Sequence, residues 1–295
     1  MPMRFGTAGV PLQAKEPSTL SGLEALSALH LGCMEMEFVQ RVTMGEKMAG
    51  LVRQKATALD ISLSVHAPYY LNFNAHDPGI LEASHKRLRA AARIGFLAGA
   101  SDIIFHPGFY QGDAPQTTFA KVQAELAKLI ENLKAAGIHS RLRCETTGKH
   151  NQFGSLEETL QLVLETPGLS ACFDFSHLHA RHQYHDAADF RRDLERIGAV
   201  LGASALQDLH IHLSGMQYTA AGERNHLNLA DSDFPYGAML QALRDVGARG
   251  RVVCESPNRE GDALLLQDAW RQLEEASWGV LSGAVTDGFP PFSRG

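Results

Sequence analysis

Asp102-Ile103-Ile104-Phe105-His106-Pro107-Gly108 is a short apolar run that closes on a histidine and a Pro-Gly stop. Residues 116–137 beyond it are amphipathic, and Arg141-Leu142-Arg143-Cys144-Glu145-Thr146 is a second short run, closing on a glutamate. Strand, helix and strand in that order form a βαβ unit, whose strands lie parallel with the helix packed over one face. Working outward, the same alternation fills the chain. Strands are expected over Arg4–Ala8, Cys33–Phe38, Ser62–His66, Asp102–His106, Arg141–Thr146, Ser170–Phe175, Asp208–Ser214 and Arg251–Ser256. Helices are expected near 18–30, 45–59, 79–99, 116–137, 156–166, 187–201, 235–247 and 261–275. Eight such units suit closure into a single-domain (β/α)8 TIM barrel better than an open sheet. An open nucleotide-binding sheet usually carries a glycine-rich first turn, and no GxGxxG or P-loop pattern occurs.

Local signals agree with these bounds. Pro17-Ser18-Thr19 opens the first helix, Asp77-Pro78 the third, and Ser155 precedes Glu158 at capping-box spacing. Gly137 and Gly247 stop the fourth and seventh helices. The barrel is expected over 1–279. Residues 280–295, rich in Gly, Pro and Ser, read as a flexible tail.

The 295 residues are 44% hydrophobic and 20% charged, with a formal net charge of −6. That composition is ordinary for a globular protein with a large core. No apolar run is long enough to cross a bilayer and the first residues lack a signal-peptide pattern, so a cytoplasmic location without membrane contact is expected. Cys33, Cys144, Cys172 and Cys254 all lie in apolar strand-like runs with no CxxC pair, and read as reduced buried thiols. An acidic balance argues mildly against a dedicated nucleic-acid binder, but bound cations would reverse the local sign where a phosphate must sit.

In a parallel barrel the last inward-facing residue of each strand points at the active face. Those positions here hold Glu37, His66, His106, Glu145, Asp174 with His177 just beyond, His212 above His210, and Glu255. A lone strand-end histidine is more often structural than a ligand. So many ionisable groups at one mouth, however, would be costly without neutralisation, which divalent cations supply. Mixed imidazole and carboxylate donors suit zinc, manganese or iron. His210 reads as a core or supporting histidine. His179, His182 and His185 fall in a polar stretch and are expected to be exposed. Residues 215–233 form a long loop in which His226 is either a ligand or an exposed loop residue. Tyr69, Tyr70 and Phe73 either stack on a ligand or pack the loop onto the rim.

Taken together, Phe5-Gly6-Thr7-Ala8-Gly9, Val65-His66-Ala67-Pro68-Tyr69, Phe105-His106-Pro107-Gly108, Glu145-Thr146-Thr147-Gly148-Lys149, Asp174-Phe175-Ser176-His177 and Glu255-Ser256-Pro257-Asn258 resemble the endonuclease IV family of apurinic/apyrimidinic endonucleases, especially its archaeal-type branch. The resemblance implies zinc ions held in the barrel mouth. Glu145 would bridge two of them, with Asp174, His212 and Glu255 completing one site and His66 and His106 the other. His177 and His226 would hold a third. Manganese or iron would fit the same ligand types. The family's acid at the third site sits in an Asp-x-His pattern, but Arg224 stands at that position here, so Glu223 would have to substitute through a shifted loop. Two or three cations are therefore expected. The implied partner is damaged double-stranded DNA, with no protein partner evident. The implied reaction is hydrolysis of the phosphodiester 5′ to an abasic site, leaving a 3′-hydroxyl and a 5′-deoxyribose phosphate. Glu145 and Glu255 would be the catalytic carboxylates, and Arg41, Tyr69 and Tyr70 the DNA-contacting residues.

Two other readings remain open. A sugar isomerase or epimerase on the same barrel would need only the one-cation set Glu145, Asp174, His212 and Glu255, leaving His106, His177 and His226 without a ligand role. A non-catalytic barrel binding damaged DNA or a metabolite would draw its support from the missing Asp.

Overall fold

Alternate residues of each short strand are apolar, and this period of two builds a tube with two surfaces. In the computed structural model, which describes residues 2–283, the strands are β1 (Arg4–Ala8), β2 (Cys33–Glu37), β3 (Ser62–His66), β4 (Asp102–Phe105), β5 (Arg141–Glu145), β6 (Leu169–Asp174) and β7 (Leu209–Leu213). An antiparallel pair follows, β8 (Gly215–Thr219) and β9 (Gly222–Leu227), and then β10 (Gly250–Cys254). β1 to β7 pair in sequence, all parallel, and β10 closes the circuit between β7 and β1. The result is the expected (β/α)8 barrel.

The helices are α1 (Thr19–Ala28), α2 (Glu46–Ala58), α3 (Pro78–Ala98), α4 (Pro115–Ala135), α5 (Leu156–Glu165), α6 (Phe175–His182), α7 (Ala187–Leu201), α8 (Tyr236–Asp245) and α9 (Glu260–Gly283). Several of their starts follow from capping chemistry. Ser18 accepts from the Ser21 amide, Asp77 from Gly79 ahead of a first-turn proline, and Ser155 and Glu158 form a reciprocal box. Gly137 and Gly247 follow α4 and α8 with φ of 70° and 66°, the left-handed conformation that glycine adopts without penalty.

Outward strand residues such as Phe5, Met34, Val65, Ile103, Phe105, Phe173 and Ile211 join Leu23, Val52, Leu88, Val122, Leu126, Leu194 and Met239 of the helices in one apolar layer around the barrel. Each such side chain contributes about 1.5–3 kcal/mol when fully buried. The inward residues are left to chemistry. All four cysteines are buried and free.

Two segments differ from expectation. Residues 175–182 form the short helix α6 rather than a polar loop, because Asp174 caps it by accepting the His177 amide at 2.7 Å. Residues 215–227 form the β8–β9 hairpin rather than a loop. Of the expected tail, 280–283 belong to α9 and 284–295 lie outside the described residues. Among the described residues, no helix is long and apolar enough to cross a membrane.

Candidate metal centre

Glu145 ends β5 at the middle of the barrel mouth and is fully buried. Its two oxygens face different partners. Oε2 lies 3.1 Å from His66 Nε2 and 2.9 Å from His106 Nε2. Oε1 lies 3.1 Å from His212 Nδ1 and 3.5 Å from His177 Nδ1. The geometry therefore forms two compact groups that share this carboxylate. His66, His106 and Glu145 bring ligand atoms within 4.8 Å of one another, and so do Glu145, Asp174, His212 and Glu255. His66 donates from Nδ1 to the Ala67 carbonyl at 2.8 Å, which leaves Nε2 free as a donor atom toward the centre. His177 is fixed likewise by donation from Nδ1 to the Thr146 carbonyl at 2.9 Å.

The β8–β9 hairpin leans over this mouth. His226 Nδ1 is 3.7 Å from Glu255 Oε2, and Glu223 Oε2 is 3.2 Å from His177 Nε2. Residues three apart on a regular strand point to opposite faces. Here the ladder pairs Gln217 with Asn225 and then Tyr218 with Glu223, so Arg224 is an extra, bulged residue. The bulge returns Glu223 to the face of His226 and leaves Arg224 exposed. The acid that faces His177 is therefore Glu223, not the residue at the Arg224 position. Gly148 donates its amide to the same Glu223 oxygen at 2.9 Å. His177, Glu223 and His226 do not converge as tightly as the two groups around Glu145.

Above the centre opens a cavity of about 580 Å³, lined by Tyr69, Tyr70, Arg87, Lys149, Gln152 and Glu223 along with the histidines. Tyr69 stands 5.0 Å from the His66 ring and Tyr70 is 63% exposed, so both occupy the rim. Arg41 is exposed in the segment after β2 and does not line this cavity. His182 and His185 are exposed as expected, but His179 is not. It sits on the buried side of α6, stacked on Tyr184, with Nδ1 accepting from the Tyr184 amide and Nε2 beside Asp233. Burial lowers its pKa despite that carboxylate.

Sequence reasoning passed over Glu35 and gave Glu37 no role. Both point inward from β2, and Glu35 lies one layer below the centre. The signal was the alternation Met34-Glu35-Met36-Glu37, two carboxylates on one side of an apolar strand.

The electrostatics of this cluster fit a cation. Burial alone would push His66 and His177 down. The Glu145 hydrogen bond and charge instead lift His66 to about 10, and Asp174, Glu223 and Glu145 lift His177 to about 9. Burial, aided by Glu35 and Glu255, raises Glu37 to about 8. Burial likewise raises Asp174, whose Oδ2 is enclosed without a hydrogen-bond donor; His177 Nδ1 is 3.3 Å away but out of line. Protonated imidazoles thus supply the positive charge that these carboxylates require, and divalent cations held by the same donor atoms would replace those protons. Carboxylate oxygen with imidazole nitrogen is a donor set for zinc, manganese or iron.

A profile of the xylose isomerase-like TIM barrel family matches residues 23–276. An uncharacterized protein of Methanocaldococcus jannaschii is 40% identical over 91% of this chain and 97% of its own length. The probable endonuclease 4 of Bacillus velezensis is 28% identical over 65% of this chain and 64% of its own. Among solved structures, endonuclease IV from Thermus thermophilus superposes with a TM-score of 0.70 at 21% identity, covering 92% of this chain and 99% of that one. A D-tagatose 3-epimerase-like protein superposes with 0.69 at 18% identity over 93% and 99%. These two likenesses speak to the fold and leave the chemistry to the site.

Proposed function

Since the chain belongs to the xylose isomerase-like TIM barrel family, in which hydrolase and epimerase chemistries share one fold, we propose that it is a divalent-metal endonuclease that cuts the phosphodiester 5′ to an abasic site in duplex DNA. The observation that carries this reading is the division of Glu145. One oxygen serves His66 and His106 while the other serves His212. A one-cation isomerase has no use for the first of these groups, whereas phosphodiester hydrolysis benefits from two cations clamping the attacking and leaving oxygens.

Glu145, Asp174, His212 and Glu255 would hold one cation, and His66, His106 and Glu145 a second. His177, His226 and Glu223 would hold a third where one binds. Zinc is the first expectation, with manganese or iron compatible. When bound, such cations would activate water at neutral pH and neutralise charge on the phosphodiester. The chain's own groups do the rest. Glu255, at the edge of the cavity, is placed to orient the attacking water and accept its proton. Thr146 and Ala67 carbonyls hold His177 and His66 in single orientations, which removes reorganisation from the reaction. Tyr69 and Tyr70 at the rim, with Arg41 further out, would contact the duplex. An abasic nucleotide enters the cavity cheaply because it has no base to unstack.

The test is incision of a duplex carrying one tetrahydrofuran abasic site, with and without chelator. Expected is a single cut leaving a 3′-hydroxyl, lost with chelator and reduced more than about a hundredfold in Glu145→Gln, since even residues behind the ligands typically cost about 10–100-fold. A duplex left intact after both zinc and manganese are supplied would sink the nuclease reading. The four-residue group and the sugar-sized cavity would then direct the assay to ketose sugars.

A further inference from the structure

We infer that Glu35 is a positioning residue of the metal centre, holding His212 from beneath by Nε2 so that Nδ1 stays aimed at Glu145 and Glu255. The inference rests on the metal reading above.

Glu35 is fully buried within the barrel, level with Ser64 on β3. Its Oε2 accepts from the Ser64 hydroxyl at 2.7 Å and pairs with His210 Nε2 at 3.0 Å. Those two contacts fix the carboxylate's plane. Its Oε1 lies 3.0 Å from His212 Nε2. The N–H is out of line there, and neither atom has another hydrogen-bond partner. On the other side of the ring, Nδ1 faces Glu145 and Glu255 at 3.1 and 3.3 Å, so an Nε2–H given to Oε1 would leave Nδ1 for the centre. The thiol of Cys172 is the other group near both β7 histidines, and a neutral thiol is a poor acceptor beside a carboxylate.

Packing does not explain Glu35. Among the described residues no arginine or lysine pairs with it directly, so no cationic side chain of that kind offsets the cost of enclosing a carboxylate there. Histidines that bind metal nearly always give their second N–H to a carboxylate, carbonyl or water, which fixes the ring and raises its basicity. His210, which sequence alone read as a core or supporting histidine, has its place in this arrangement as the group that steadies Glu35.

Chelator competition with zinc tests the inference, comparing wild type with Glu35→Leu, which fills the space without an acceptor, and Glu35→Gln, which keeps an acceptor oxygen. The visible spectrum with cobalt(II) reports coordination geometry in parallel. Expected is that Glu35→Leu weakens one zinc by about 10–100-fold and alters one cobalt band. The other zinc is retained and Glu35→Gln falls between; Glu35→Leu also lowers the melting temperature, because the buried Ser64 and His210 lose their acceptor, whereas Glu35→Gln stays close to wild type. If the leucine variant fails to fold, Glu35→Gln and Ser64→Ala carry the test, each expected to loosen the same zinc by a smaller factor. Folded variants that bind zinc and cobalt like wild type overturn the inference and leave the metal reading standing. A wild-type protein that binds neither zinc nor manganese is a different result, and it overturns the metal reading and this inference together.

Discussion

At the scale of single residues, the mouth tolerates little substitution because backbone and carboxylate approach each other so closely. A Cβ on Gly148 would lie 2.3 Å from Glu223 Oε2, the atom that receives the Gly148 amide. Glycine is therefore required by the approach of a side chain rather than by an unusual φ. We expect Gly148→Ala to push Glu223 off His177, to cost about 1–3 kcal/mol of stability as overpacking does, and to weaken a cation held near His177. Urea denaturation and zinc stoichiometry would check both effects, and an alanine variant equal to wild type in each would remove Gly148 from the account. His66, His106, Glu145, Asp174, His212 and Glu255 could be placed at the mouth from sequence because each closes an apolar run. Glu35 occupies the same kind of inward position one layer lower, yet did not stand out. A carboxylate in a strand reads as solvent-facing until closure of the barrel turns that face inward. His179 went astray for the opposite reason: its polar neighbours suggested exposure, while the helix that buries it depends on a cap, Asp174, that had already been assigned to the site.

At the scale of elements, the β8–β9 hairpin shows how one extra residue is absorbed. Glu223 and His226 are separated by Arg224 and Asn225, a spacing that a regular strand would split between two faces. The bulge at Arg224 compensates, and the Gln217–Asn225 and Tyr218–Glu223 pairs lie on either side of it. Deleting Arg224 would leave Glu223 and His226 two apart in a continuous ladder, still on one face. The deletion is therefore expected to keep zinc stoichiometry and activity within a few-fold of wild type, whereas Glu223→Ala, with the bulge intact, loses the carboxylate at His177. Binding and incision assays on the two variants separate these outcomes; a deletion as damaging as Glu223→Ala would show that the bulge does more than restore phase. Sequence could not supply this, because a bulge follows from the pairing partner far more than from local composition. The regular βα units were legible because strand alternation and helical periodicity follow each other along the chain, with capping residues marking the starts of several helices. The hairpin and α6 were not, since their formation depends on the mouth beneath them.

Across the whole molecule, the two ends of the barrel handle charge in opposite ways. At the C-terminal end, carboxylates and histidines crowd together in a manner suited to cations. At the N-terminal end, Asp102 at the start of β4 is enclosed and surrounded by guanidinium groups. Arg143 Nε is 2.7 Å from it, Arg251 Nη1 2.8 Å and Arg141 Nε 2.9 Å, while Asp208 bridges the same arginines from the surface. Burial would raise Asp102, but Arg143 and Arg251 outweigh it and hold the carboxyl well below its usual range. A carboxyl lowered in the folded state contributes stability that is complete above its unfolded value of roughly 4, and that is lost as pH falls through the folded value. Replacing it leaves two buried guanidiniums short of a partner, a change that costs about 3–5 kcal/mol when one member of a buried pair is removed. Asp102→Asn is accordingly expected to lower unfolding stability by about that much at pH 7, and by progressively less as pH drops below about 4, where the unfolded wild-type chain takes up a proton that the folded carboxyl still lacks. Urea titrations across that range measure the gap directly. Zinc binding at neutral pH should persist in any fraction that stays folded, because Asp102 lies at the opposite end of the barrel from Glu145. A gap that stays constant with pH would mean that Asp102 acts through hydrogen-bond geometry alone and that its charge contributes nothing to the closed end of the barrel.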